Sequence, residues 1–185
     1  MRSPGTVSFA LLACACAAVF VRAEAAGGQY HWTLTRDVEP EDKYYLGHPV
    51  SHYEVSLERL EVFSCAQEAQ QFEAEQCQEI ESAGLGFEVI RDLNGDGEMD
   101  RAVVGVARKS GGEKIGVLLI FNSLGERNPY VLTSSFSRFS VLGSNEQGLT
   151  WIPCLACDSI YPVRWHDDSG QYEIAIPEAF GDVGE

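Results

Sequence analysis

Residues 92 to 100 read Asp92-Leu93-Asn94-Gly95-Asp96-Gly97-Glu98-Met99-Asp100, with oxygen-bearing side chains at alternate positions around two glycines. Such side chains converge when the backbone curls, and the group they suit is a hard cation. Calcium takes six to eight oxygens at about 2.3–2.6 Å from carboxylates, amides and backbone carbonyls. With Asp92 as the first position, Asn94 and Asp96 stand at the third and fifth, and Gly97 falls where the sharp turn is required. Glu98 then offers its carbonyl and Asp100 closes the set. A bare Asn-Gly-Asp-Gly turn requires only positive φ. Carboxylates at Asp92, Asp96, Glu98 and Asp100 repel one another unless a cation neutralises them. The expected cofactor is therefore Ca²⁺, held as a structural ion at roughly 10⁻⁴ to 10⁻³ M, as on other extracellular modules.

The residues after the loop separate it from a helix-loop-helix site. The twelfth position is Val103 rather than a bidentate Glu, and Val103-Val104-Gly105-Val106 has the character of a strand. The expected geometry is strand, loop, strand. Asp92 to Asp100 followed by Arg101-Ala102-Val103-Val104 resembles the calcium loop of FG-GAP or VCBS-type repeats, over about 17 of the 185 residues. The resemblance implies that Asp92, Asn94, Asp96 and Asp100 ligate through side chains and Glu98 through its carbonyl. Those families carry many copies arranged as a propeller, whereas this chain has one copy, so neither a propeller nor an adhesive role is implied.

The remaining chemistry-bearing residues point away from catalysis. There is no Gly-x-Ser-x-Gly elbow, and the histidines are His31, His48, His52 and His166. His48 and His52 have the spacing of half a zinc site, but Pro49 lies between them and no His-Glu-x-x-His pattern is present. Trp151, Trp165, Tyr161 and Tyr172 are read as core ahead of a binding face. Cys65, Cys77, Cys154 and Cys157 allow three pairings, of which Cys65 with Cys77 and Cys154 with Cys157 is preferred. An unbroken helix over 65–77 would hold its ends about 18 Å apart, too far for a bridge. The helix is broken there or the partners are crossed. Redox and zinc readings of Cys154-Leu155-Ala156-Cys157 rank below a structural disulfide, because a strand is expected at 159–165 and no second closely spaced pair exists.

The elements that must position these groups can be read from the hydrophobic pattern. Residues 26–53 read mostly as loop with a short strand at 30–35. Residues 54–81 lack Gly and Pro, and Leu57, Leu60 and Phe63 fall on one helical face, so this is the expected helical region, with a restart capped by Ser64. Consecutive antiparallel strands are expected at 87–93, 101–108 and 114–122, others at 130–135 and 137–142, and a last hairpin over 161–176 turning at 167–170. The predicted class is α+β: one N-terminal helical region followed by a mostly antiparallel meander of about six strands.

Arg2, the apolar run from Val7 to Val21 and the small residues Ala23, Ala25 and Ala26 read as a signal peptide over residues 1–25. The run is shorter than the ~20 residues of a membrane span. A competing reading is a lipid anchor at Cys14, in Leu11-Leu12-Ala13-Cys14. Residues 26–185 then form one exported domain, periplasmic or secreted. Removal of Arg2, Arg22 and Glu24 moves the formal charge by one unit, from −15 to −16. That charge argues against nucleic acid and anionic membrane surfaces as partners. Three functional readings remain open: a non-enzymatic calcium-stabilised module for a protein or glycan partner; an inhibitor or immunity-type protein that turns an acidic face on a basic enzyme; and a small hydrolase.

Overall fold

The computed structural model describes residues 30, 32–66, 71–124, 128–145, 148–157 and 159–175; the signal-peptide segment, Cys14 and His31 lie outside them. The architecture is mostly antiparallel β, with two five-stranded sheets packed on a common core and a small two-stranded hairpin. The first sheet is built on β6 (Asp100–Lys109) and β7 (Lys114–Phe121), which pair along their whole length. β8 (Tyr130–Ser134) extends it beyond β7. On the other side of β6, β3 (Leu57–Val62) and β5 (Glu88–Arg91) lie end to end along one edge. The junction is at Val104, whose carbonyl accepts from Phe63 N–H at 2.9 Å while its own N–H donates to Phe87 O at 3.1 Å. The second sheet has the order β12 (Gln171–Ile174), β11 (Ser159–His166), β10 (Gly148–Cys154), β9 (Val141–Asn145) and β4 (Leu85–Gly86).

β6 and β7 read as nearly continuous apolar runs because both faces of their sheet are covered. Ala102, Val104, Val106, Leu118 and Ile120 point toward the second sheet and join Trp151, Leu142, Val163 and Tyr172 in the larger core. Val103, Ala107, Val117, Leu119 and Phe121 point the other way and are covered by Val50, Leu57, Leu60, Tyr45 and Tyr53. The chain crosses between the two sheets at Phe87, between β4 and β5. Gly105 marks the closest approach: a Cβ there would stand 2.2 Å from Glu61 O.

Several expectations are corrected. Among the described residues about twelve strands form, not six. Residues 30–35 hold a short helix, α1 (Trp32–Thr35), instead of a strand. Among the described residues of the expected helical region 54–81, only α2 (Ala74–Ser82) is helical in a sustained way, while β3 occupies its start. The cause is a bulge. The register shifts between Leu57 and Arg59, and the extra residue brings Leu57 and Leu60 to one face of a strand at the spacing of a helical turn. The Ser64 hydroxyl accepts from Ala66 N–H at 3.0 Å, and the restart expected after it runs through residues 67–70, which lie outside the described residues. α2 begins at Glu73, whose N–H donates to Gln76 Oε1 at 3.0 Å. The strand expected at 137–142 is displaced to Val141–Asn145, and β10 and the strands β1 (Tyr44–Tyr45), β2 (His48–Pro49) and β4 add to those expected.

The chain carries both preferred disulfides, Cys65–Cys77 with Cα atoms 5.8 Å apart and Cys154–Cys157 at 5.2 Å. The first fits the requirement for a break, since α2 starts nine residues after Cys65. Among the described residues no helix is long and apolar enough to cross a membrane.

Candidate metal centre

The acidic loop connects β5 to β6, closed at its base by the pairing of Arg91 with Asp100. Gly95 at φ +81° and Gly97 at φ +90° take the left-handed conformations that curl it. The polar side chains hold this curl from inside. Asp92 accepts from Gly95 N–H at 2.7 Å through one oxygen and from Gly97 N–H at 3.0 Å through the other. Asn94 Oδ1 accepts from Asp96 N–H at 2.9 Å, and Asp96 Oδ1 from Glu98 N–H at 2.7 Å. Asn94 Nδ2 donates to Asp96 Oδ2 at 2.9 Å. Each is a turn in which a short side chain reaches two or more residues ahead.

Asp100 is different in kind. It is fully buried, at 0 % exposure, at the first position of β6. Its Oδ2 accepts from Leu93 N–H at 2.7 Å and from the hydroxyl of Tyr172 at 3.3 Å. Its Oδ1 is buried and meets no donor. Burial pushes the carboxyl above the usual carboxylate range, and the charge of Asp96 pushes in the same direction, against the pull of the Leu93 N–H, the Tyr172 hydroxyl and, least, the Asn94 N–H. The Tyr172 hydroxyl is also raised, first by burial and then by the Asp100 charge. A buried carboxylate oxygen without a donor costs about 1–3 kcal/mol or more in its ionised state.

All five expected ligand residues therefore fall in one loop, and four of them, Asp92, Asn94, Asp96 and Asp100, share its interior hydrogen-bond network. Glu98 contributes its backbone N–H to that network, and its position is exposed. Among the described residues no group of three or more His, Cys, Asp or Glu converges as a metal cluster. The donor set that fits calcium here includes an amide and a carbonyl beside the carboxylates. The orphaned Oδ1 is the observation that fits a cation at the loop. Tyr172, 72 residues away, is the part that sequence reasoning missed: its inward place on β12 is readable from alternation, its partner is not.

The other candidates are distributed elsewhere. His48 and His52 stack at 4.9 Å between ring centroids, through the turn formed by β2 and a 3₁₀ helix at Val50–His52. Neither forms an ion pair among the described residues, whereas His166 Nε2 lies 3.4 Å from Glu173 Oε2 on the second sheet. Trp151 and Tyr172 are core, at 0 % and 5 % exposure. Cys154 ends β10, and Cys157 ends the three-residue 3₁₀ helix Leu155–Cys157 that follows it.

Fold and loop together describe a disulfide-bonded, mostly antiparallel β fold with an oxygen-rich loop at one end of strand β6. No protein-family model, curated protein or solved structure matches the chain.

Proposed function

We propose that this chain is an exported, non-enzymatic binding module for a protein or glycan, stabilised by one calcium ion in the 92–100 loop. The observation that carries the calcium reading is Asp100 Oδ1, a carboxylate oxygen buried beneath the loop with no donor. Asp92, Asn94, Asp96 and Asp100 would hold the ion through side chains and Glu98 through its carbonyl. The ion would supply the positive charge that four neighbouring carboxylates lack. Its role is structural, because Asp100 also touches Tyr172 of the opposite sheet, so an ion that orders the loop also fastens one sheet to the other. Two disulfides support an oxidising, exported setting.

The test is calorimetric titration of calcium into chelator-treated protein, repeated on Asp96→Ala, with thermal melts alongside. Saturable heat is expected in the wild type and none in the variant. Calcium at about one hundred times its dissociation constant stabilises by about 2.7 kcal/mol, a rise of roughly 5–10 °C in melting temperature for a domain of this size. A wild type that gives no heat and no shift at millimolar calcium reduces the loop to a turn and sinks the proposal.

A further inference from the structure

A cleft of about 700 Å³ opens where β3 ends and β5 begins, walled on its other sides by α2, β4 and β1. Its deepest lining is apolar: Leu60, Phe63, Ile80 and Val103 are each no more than 2 % exposed. Its mouth is acidic. Asp42, Glu61, Glu81 and Glu88 line it, and the one guanidinium among the described lining residues, Arg101, is already engaged by Glu88. Two tyrosines complete the wall. Tyr44 is 65 % exposed, and the buried hydroxyl of Tyr45, within electrostatic reach of Arg101 and Glu88, has no hydrogen-bond partner.

Glu61 is held in this wall by Gln71, whose Nε2 donates both to Glu61 Oε1 and, at 3.0 Å, to Val62 O. Burial raises the Glu61 carboxyl, the Gln71 hydrogen bond opposes that, and the charges of Asp42 and Glu41 raise it further. Carboxylates that crowd one another beside a dry floor are relieved by an incoming positive charge. A hydrated inorganic ion gains nothing from the floor. An ammonium or guanidinium on a hydrocarbon stem satisfies both halves, with the stem on apolar residues and the head among carboxylates, and an exposed tyrosine face adds attraction for the cation.

We propose that this cleft is a receptor site for an organic cation, an alkylammonium or guanidinium group carried on an apolar stem. The inference deepens the binding-module part of the proposed function and rests on it, not on calcium. The same head group occurs on free polyamines and on Lys or Arg side chains of a basic protein, and the experiment separates these sources.

Calcium-saturated protein is titrated calorimetrically with spermidine and, separately, with an acetylated and amidated tri-lysine peptide. The variants are Glu61→Gln, which keeps the acceptor for Gln71, and Asp42→Asn. Asp167→Asn together with Asp168→Asn, on the exposed turn before β12, controls for general attraction to an acidic surface. Saturable binding that weakens at least tenfold in each cleft variant and less than twofold in the turn variant is expected. Tighter binding of spermidine assigns the site to free polyamines; tighter binding of the peptide assigns it to a protein side chain. Equal weakening in the cleft and turn variants overturns the proposal. So does the absence of saturable binding by either probe at millimolar concentration, and if the calcium-induced rise in melting temperature is then intact, this inference falls alone and the calcium loop stands.

Discussion

Strand β6 enters from one polar loop and leaves into another, and the two loops solve the same turning problem with different charge. At the far end, residues 109–113 close on themselves. Lys109 N–H donates to Glu113 O at 2.9 Å, Gly112 N–H to Lys109 O at 2.8 Å, and the Lys109 ammonium lies 2.9 Å from Glu113 Oε2. The charge is satisfied within five residues, and the backbone is completed from just outside, where Ser110 N–H donates to Ser56 O and the Arg108 guanidinium to Gly112 O, each at 2.9 Å. At the near end, the 92–100 loop has its backbone equally well satisfied by Asx-type hydrogen bonds, yet it concentrates four carboxylates without a base and buries one of them with a bare oxygen. The second loop shows that turning a β-hairpin here requires glycine and a small number of hydrogen bonds. The surplus of negative charge in the first is left over for something other than turning.

The largest effect is expected where both loops depend on the same strand. Gly105→Ala places a Cβ against Glu61 O, and overpacking a backbone contact costs about 3 kcal/mol. The urea midpoint should fall with calcium and with chelator alike. A fall in only one condition would mean that the two ends of β6 are not carried by one cooperative unit.

Asp100→Asn sharpens the contrast, because its sign should depend on calcium. The asparagine keeps an acceptor for Leu93 and Tyr172 and removes the buried charge, so in chelator at neutral pH it should stabilise by about 1–3 kcal/mol. With calcium present the advantage should disappear or reverse as a ligand charge is lost. The raised folded-state value of Asp100 means that the native protein holds this proton more tightly than the unfolded chain. Its contribution to stability therefore declines as pH climbs from the ordinary carboxylate range through the raised value. The advantage of the asparagine variant in chelator should be full above that raised value and vanish below the ordinary one. Chemical denaturation of both proteins across that range checks it, and a variant less stable in chelator at neutral pH would contradict the strain assigned to Asp100.

The smallest effect belongs to the charge-paired turn at 109–113. Lys109→Ala removes an exposed pair and should cost less than about 0.5 kcal/mol, with no dependence on calcium. A calcium-dependent cost there would erase the distinction between the loops.

β6 and β7 are legible in the sequence because they are long, apolar and separated by plain turn residues. β3 is not, since a bulge gives Leu57 and Leu60 helical spacing on a strand. β10 escapes because Trp151 and Ile152 are consecutive buried residues beside a proline, which hides the alternation of a half-buried strand. The loop itself announces its oxygens through local spacing alone. Its contact with Tyr172 depends on how two sheets pack, and no local pattern carries that. The cleft is less legible still, because Asp42, Glu61 and Glu88 become neighbours only when β3 and β5 line up along one edge of β6.

That end-to-end arrangement has a consequence for how the gene can change. Phe63 leaves the sheet and Phe87 returns to it at the same residue, Val104, so the intervening chain departs and rejoins at one point. Within this excursion the Cys65–Cys77 bridge supplies a closure of its own. A change of chain length within this excursion would alter a segment whose ends are already fixed at Val104, at a free-energy cost that grows only slowly with added residues. The ladder of β6 would keep its register, and the protein has in this segment a place where evolution can lengthen or shorten the chain without rebuilding the sheet.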